Sequence, residues 1–79
     1  MDELKQNIDY MIETLGHGVM RLDKDGKGMD LFHPCSRVRI EMMNDGWMWS
    51  VFDNEGLVGT SNIFGTVKEC IDNCKATRF

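Results

Sequence analysis

The sequence predicts a small two-layer α+β domain: an N-terminal helix, an antiparallel meander of three to five strands, and a C-terminal helix. Three observations carry this reading. An apolar stripe of helical period runs from Leu4 to Leu15. Between Val38 and Ile63, two turn motifs separate apolar runs: Asp45-Gly46 and Asp53-Asn54-Glu55-Gly56. A capping box at Thr66 opens a second helical stripe. At 79 residues the chain is expected to form a single domain, with no internal repeat or linker.

The first helix is placed at Asp2 to Leu15. Leu4, Ile8, Met11, Ile12 and Leu15 fall at i, i+4, i+7, i+8 and i+11, while Lys5, Gln6, Asp9 and Glu13 face the other way. Asp2 is the expected N-cap, and Glu3 suits the positive end of the helix dipole. Gly16 fits the left-handed residue that closes the last turn. A short strand follows from Gly18 to Leu22, then a turn at Asp23-Lys24-Asp25-Gly26-Lys27-Gly28. A second short strand runs from Met29 to His33, where Pro34 ends it for want of a ladder donor.

The central hairpin fixes a register. Asp45-Gly46 between apolar runs is a strong hairpin signal, because a type I′ turn needs positive φ at both central residues. With those two residues as the loop, Met42 faces Trp49, Ile40 faces Val51 and Arg39 faces Phe52. One face then carries Val38, Ile40, Met42, Trp49 and Val51; the other carries Arg37, Arg39, Glu41 and Ser50. A four-residue loop at Asp53–Gly56 pairs Val51 with Val58, Trp49 with Thr60, and Phe52 with Leu57 on the outer face, in a last strand from Leu57 to Ile63.

Thr66-Val67-Lys68-Glu69 is a capping box in which each side chain is expected to bond the other residue's amide. The helix it opens places Val67, Cys70, Ile71 and Cys74 at i, i+3, i+4 and i+7, with Phe64 packing into the core just before it. The tail Ala76-Thr77-Arg78-Phe79 is expected to fray.

Composition narrows the function. A net charge of −4 with dispersed basic residues argues against binding a phosphate backbone, so no direct nucleic-acid contact is expected. No run of about 18 apolar residues is present to span a membrane. Met1-Asp2-Glu3-Leu4-Lys5-Gln6 lacks the basic-then-apolar order of a signal peptide, and a cytoplasmic location is expected. The seven methionines fill core gaps or supply an adaptable binding surface. The three cysteines are read as free thiols. Cys70 and Cys74, one helical turn apart, would hold their Cβ atoms about 5–6 Å apart, beyond the roughly 3.8 Å of a relaxed disulfide.

No catalytic constellation stands out, and the chain is read as a non-enzyme without cofactor or metal. Asp23-Lys24-Asp25-Gly26 opens like a calcium loop, but Lys27 would stand at its fifth position and Pro34 at its twelfth, where a bidentate Glu is required. His33, Cys35, Cys70 and Cys74 are zinc-type donors, yet their spacing is not that of a finger, and Cys70 and Cys74 belong to an apolar stripe. A Cys–His nucleophile would need His17 or His33 beside a partly exposed cysteine, which nothing in the spacing requires. Gly16-His17-Gly18 and Gly26-Lys27-Gly28 match no phosphate-binding fingerprint. Trp47 and Trp49 would need basic neighbours to serve as a nucleic-acid stacking platform. Trp49 is read as core, and Trp47, near the turn, as half-exposed. The outer face, with Met43, Met48, Phe52 and Leu57, either lies under the N-terminal helix or forms an exposed interface patch.

Two resemblances arise from these residues. Asp45 to Ser61, with its Trp47-x-Trp49 and Asp53–Gly56 turn, followed by Phe64 and a helix, resembles the βββα half-repeat of YegP-like domains. That likeness covers about 30 residues and implies no catalytic group; this chain has one unit rather than two, and adds an N-terminal helix. The same Asp45-Gly46-Trp47-x-Trp49 segment, together with size, acidity and lack of an active site, resembles small phage anti-CRISPR proteins. This second resemblance implies a phage-type inhibitor in the host cytoplasm that occupies a surface of a CRISPR–Cas effector subunit. The expected contacts are Asp23, Asp25 and Asp30 around the first turn, Asp53 and Glu55 at the later one, and Trp47. The alternative is a YegP-like structural module that self-associates as a homodimer through Met43, Met48 and Phe52.

Overall fold

A computed structural model describes residues 3–77. Helix α1 (Glu3–Leu15) forms where the stripe places it: Met11 is fully buried, with Ile8, Ile12 and Leu15 packed against the core, whereas Leu4, the first residue of the expected stripe, is exposed in the opening turn. Gly16, at φ 103°, donates its N–H to the Ile12 carbonyl at 2.9 Å and closes the helix. The expected Asp2 N-cap and the tail residues Arg78 and Phe79 lie outside the described residues. Ala76 and Thr77, expected to fray, complete helix α2 (Val67–Thr77), with the Thr77 hydroxyl donating to the Asn73 carbonyl.

Between the helices run β1 (Val19–Leu22), β2 (Gly28–His33), β3 (Ser36–Met43), β4 (Gly46–Asp53) and β5 (Gly56–Thr60). They form one antiparallel sheet in chain order, the upper limit of the expected three to five strands. Each strand lies beside the next because tight turns leave no room for a crossover: two residues link β2 to β3, β3 to β4, and β4 to β5.

The central register differs from expectation by two residues. The loop is Asn44-Asp45, so Ile40 pairs with Trp49 rather than Val51, and Met42 with Trp47 rather than Trp49. Asn44 supplies the positive φ, 57°, which Asn tolerates better than most residues. Asp45 does not share it, so the expected type I′ geometry is not formed. Gly46 is required for space instead: a Cβ there would meet Ile63 Cγ2 at 2.3 Å and the Phe64 carbonyl oxygen at 2.6 Å. Because side chains alternate with period two, a two-residue shift keeps every residue on its expected face.

The last pairing is correct at its start and slips afterwards. Phe52 pairs with Leu57 as expected, but Val51 then meets Gly59, and Ser50 meets Thr60. Val58 is left as the extra residue of a β-bulge, so the expected Val51–Val58 and Trp49–Thr60 pairs do not form. Ser61 takes the place beside Trp49: its hydroxyl accepts from the Trp49 amide at 2.9 Å and its amide donates to the Trp49 carbonyl at 3.0 Å. Regular strand therefore ends at Thr60 rather than Ile63, and one further bridge joins Trp47 to Phe64 through two 2.7 Å bonds.

Both helices pack on the same face of the sheet. Met29, Leu31, Val38, Ile40, Trp49 and Val51 project from the strands onto Met11, Val67, Cys70, Ile71 and Cys74. The Trp49 indole N–H donates to Asn73 Oδ1 at 2.9 Å, tying β4 to α2. The Tyr10 hydroxyl donates to the Asp72 carboxylate, which raises the Tyr10 pKa, and Lys75 Nζ donates to the Thr14 carbonyl at 3.0 Å, joining the helices to each other. Met42, expected in the core, is 39% exposed near the sheet end. At the capping box, Thr66 Oγ1 accepts from the Glu69 amide at 3.1 Å as expected. The Glu69 carboxylate accepts from the Thr66 hydroxyl rather than its amide.

Candidate interface on the open sheet face

With both helices on one face, no element among the described residues covers the other. The question left open by alternation alone is thereby answered: α1 packs elsewhere, and the outer face is open. Antiparallel pairing aligns its side chains in rows across the strands. One row runs Val19, Phe32, Arg37, Phe52, Leu57 through all five strands. Its ends are the most exposed large apolar groups described, Val19 at 70% and Leu57 at 61%. In its middle the Arg37 guanidinium lies 4.0 Å from the Phe52 ring centroid and 5.9 Å from that of Phe32. Such cation–π contacts contribute about 0.5–1 kcal/mol each at exposed sites.

The adjacent row is ionic. Arg39 donates through Nη2 to Asp23 Oδ2 at 2.6 Å, through Nη1 to Asp23 Oδ1 at 3.3 Å and Asp30 Oδ2 at 2.9 Å, and through Nε to Glu41 Oε1 at 3.0 Å. Arg37 Nη1 reaches the other Asp30 oxygen at 3.2 Å. Asp30 is 2% exposed although no element lies above it, because the two arginine side chains cover it. A carboxylate so enclosed requires both partners, since an unpaired buried charge is strongly unfavourable. Hydrogen bonding from Arg39 holds the Asp23 carboxyl below its ordinary pKa, and the same bond, with that to Glu41, raises the guanidinium above its own. Arg39 is a fixed cation at every relevant pH, and the network is a preorganised element of the face.

The expected contact residues do not form one patch. Asp25 sits in the β1–β2 turn, where its carboxylate accepts from the Lys27 amide at 2.9 Å. Trp47 is half-buried near the same end of the sheet, in a depression with Gly26. Asp53 and Glu55 lie at the opposite end, the Asp53 carboxylate accepting from the Glu55 amide at 2.7 Å. The length of an eight-residue strand, about 24 Å, separates the two groups. Asp23 and Asp30 are occupied by the arginines rather than displayed. Met43, Met48 and Phe52, by contrast, share the open face.

Residues that sequence reasoning did not assign to the site are Val19, Phe32 and the carboxylate–arginine network. Their signal was present in Asp30-x-Phe32 and Arg37-x-Arg39 flanking Pro34-Cys35. A two-residue turn there pairs Asp30 with Arg39 and Phe32 with Arg37.

Other chemistry has less support in the geometry. The calcium-like segment is a hairpin turn, closed by Asp23 N–H to the Gly28 carbonyl at 3.0 Å, with Gly26 at φ 74°. His33 and Cys74 line a common groove of about 530 Å³, but Cys35 lies on an exposed turn, and among the described residues no three His, Cys, Asp or Glu side chains gather as a metal-binding group. His33 Nε2 donates to the Gly16 carbonyl at 3.2 Å. Cys70 and Cys74 are free and buried as expected, and burial pushes their thiols up to about 12 and about 11. No helix among the described residues is long and apolar enough to cross a membrane.

Compared with known protein families, with curated proteins and with solved structures, the chain finds no match.

Proposed function

We propose that this protein is a non-catalytic binding module whose open sheet face is the contact surface for a protein partner. One observation carries the reading: both helices lie on one side of the sheet, while the other side presents an aromatic–arginine row beside a prearranged ion network. A large exposed face of mixed aromatic, methionine and arginine character is what protein interfaces favour. In finer form, the module inhibits a host defence complex in the anti-CRISPR manner, by occupying a surface of a CRISPR–Cas effector subunit. Small size, net negative charge and the resemblance through Asp45 to Trp49 support that form. Co-purification with effector subunits and a phage-plaquing assay test it. Stable co-elution and rescued plaques are expected; neither appearing would sink the inhibitor reading.

Self-association through the same face is the second reading. It is favoured by the grouping of Met43, Met48 and Phe52, and by the local balance of Arg21, Arg37 and Arg39 against Asp23, Asp30 and Glu41 in a chain of net charge −4. Sedimentation equilibrium separates the two. A dimer dissociated by Phe52→Glu supports self-association; a monomer at high concentration supports a foreign partner.

A further inference from the structure

At the edge of the sheet, β1 presents unused backbone groups in a fixed pattern. It has a neighbour, β2, on one side only. Two bonds set the phase of the ladder. The Asp23 amide donates to the Gly28 carbonyl at 3.0 Å, one position beyond the Leu22–Met29 pair. On the other side of β2, the Met42 amide donates to the Lys27 carbonyl at 2.8 Å. Bonded and non-bonded pairs alternate along an antiparallel ladder. Val19 and Arg21 therefore turn their N–H and C=O groups to Phe32 and Asp30, while those of Met20 and Leu22 point away from the sheet. Among the described residues, no hydrogen bond from outside the β1–β2 pair reaches Met20 or Leu22. The opposite edge differs: β5 is bent by the bulge at Val58 and carries Gly59, and bulges of this kind keep an edge from pairing. β1 has no bulge and no proline, and its helix-side residues, Met20 and Leu22, are apolar.

This edge is complementary to itself. Two copies related by a two-fold axis perpendicular to the sheet pair antiparallel, with their open faces on the same side. Facing residues must then share a face, so one residue faces its own copy on the axis. With Arg21 there, two like charges are opposed. With Leu22 there, Met20 falls opposite Lys24, which lies in the turn. With Val19 there, Leu22 falls opposite Gly16, where the chain leaves α1. With Met20 on the axis, Met20 exchanges both bonds with its copy, and Leu22 meets Gly18, directly before β1. Exposed Val19 is then covered by the stem of the second copy's Arg21.

We propose that the β1 edge binds a second copy of this chain: two β1 strands pair about Met20 and join two five-stranded sheets into one. The helices of both copies lie on one side and both open faces on the other, so the aromatic–arginine face is doubled rather than buried. The inference is thus independent of what that face binds. A strand of four residues sets a weak, concentration-dependent dimer rather than a permanent one.

Sedimentation equilibrium and amide hydrogen exchange, on dilute and on concentrated protein, test it. A dimer is expected to form as concentration rises and to slow exchange of the Met20 and Leu22 amides about tenfold, with the Leu57 amide on the opposite edge unchanged. Met20→Pro removes an outward donor but no bond of the β1–β2 ladder, and is expected to abolish the dimer. Phe52→Glu, on the open face, is expected to leave it intact. A protein still monomeric at about 1 mM would overturn the inference. So would a dimer whose Met20 and Leu22 amides exchange as in the dilute protein, or one dissociated by Phe52→Glu. The exchange comparison uses the unaltered chain, so a folding defect in Met20→Pro leaves it decisive. A monomer defeats this inference and leaves the reading of the open face as a contact for a foreign partner standing.

Discussion

Arg39 and Asp23 close a two-pronged ion pair across the face of Gly28. A Cβ on that glycine would lie 2.4 Å from Asp23 Oδ2 and 2.6 Å from Arg39 Nη2. Gly28 is the strand residue that lets a carboxylate from the first turn reach an arginine two strands away. Gly28→Ala should displace the tips of both side chains and loosen the pair, offsetting the better strand propensity of alanine. In an Asp23→Ala background the same change should cost less, because one of the two clashing groups is gone. Urea unfolding of the four proteins measures it, and simple additivity would refute the contact.

The same pair sets a pH dependence. Because Arg39 lowers the Asp23 pKa in the folded state, its contribution is fully present above the unfolded carboxylate value of about 3.9. It is lost as pH falls through the lower folded value. Stability should therefore drop more steeply below about pH 4 in the wild type than in Asp23→Asn. Acid titration at fixed urea would show two parallel curves if the pair were absent in solution.

Asp30 is the inner member of the network. Asp30→Ala leaves two arginines facing each other with the buried acceptor gone. Both are partly exposed and regain water, so a loss of about 1–3 kcal/mol is expected rather than the larger value of a fully enclosed pair. Asp25→Ala, in the exposed turn, should change stability by less than about 0.5 kcal/mol.

The observed hairpin loop is testable by paired substitutions. Asn44→Gly should be neutral or stabilising, because the left-handed φ is at Asn44. Gly46→Ala should cost about 1–3 kcal/mol through collision with the Phe64 carbonyl and Ile63. A loop at Asp45-Gly46 would also penalise Gly46→Ala, but would gain nothing from glycine at position 44. The response to Asn44→Gly therefore distinguishes the two.

Thiol reactivity reports the core. At pH 8 only the exposed Cys35 should react quickly with a disulfide reagent, and Cys70 and Cys74 only on unfolding. The buried thiols stay protonated when folded but ionise when unfolded above about pH 8.5, so stability should decline as pH rises from there toward 11 and 12. Two fast-reacting thiols in the native protein would contradict this packing.

Local pattern was a reliable guide where one residue's fate depended on near neighbours. The stripe from Leu4 to Leu15 (apart from Leu4 itself, which is exposed), the Val67–Cys74 stripe and the alternation of Val38, Ile40, Trp49 and Val51 each read correctly, because helical and strand periods decide which side is apolar. Asn44-Asp45-Gly46 offered two adjacent loops, and alternation could not choose between registers that place the same residues on the same face. The choice came from Gly46, which had to admit the Phe64 segment lying 18 positions away in the chain. Similarly, Asp30 looked like one more turn acid until β2 lay beside β3 and set it under Arg37 and Arg39.

The opening helix, the meander, the closing helix and the two faces of the sheet were thus determined by sequence alone, through short-range periodicity and turn chemistry. Tertiary structure decided which sheet face the helices cover, the register within each hairpin, and which charges pair. Those depend on side chains distant in sequence competing for the same space and the same hydrogen bonds.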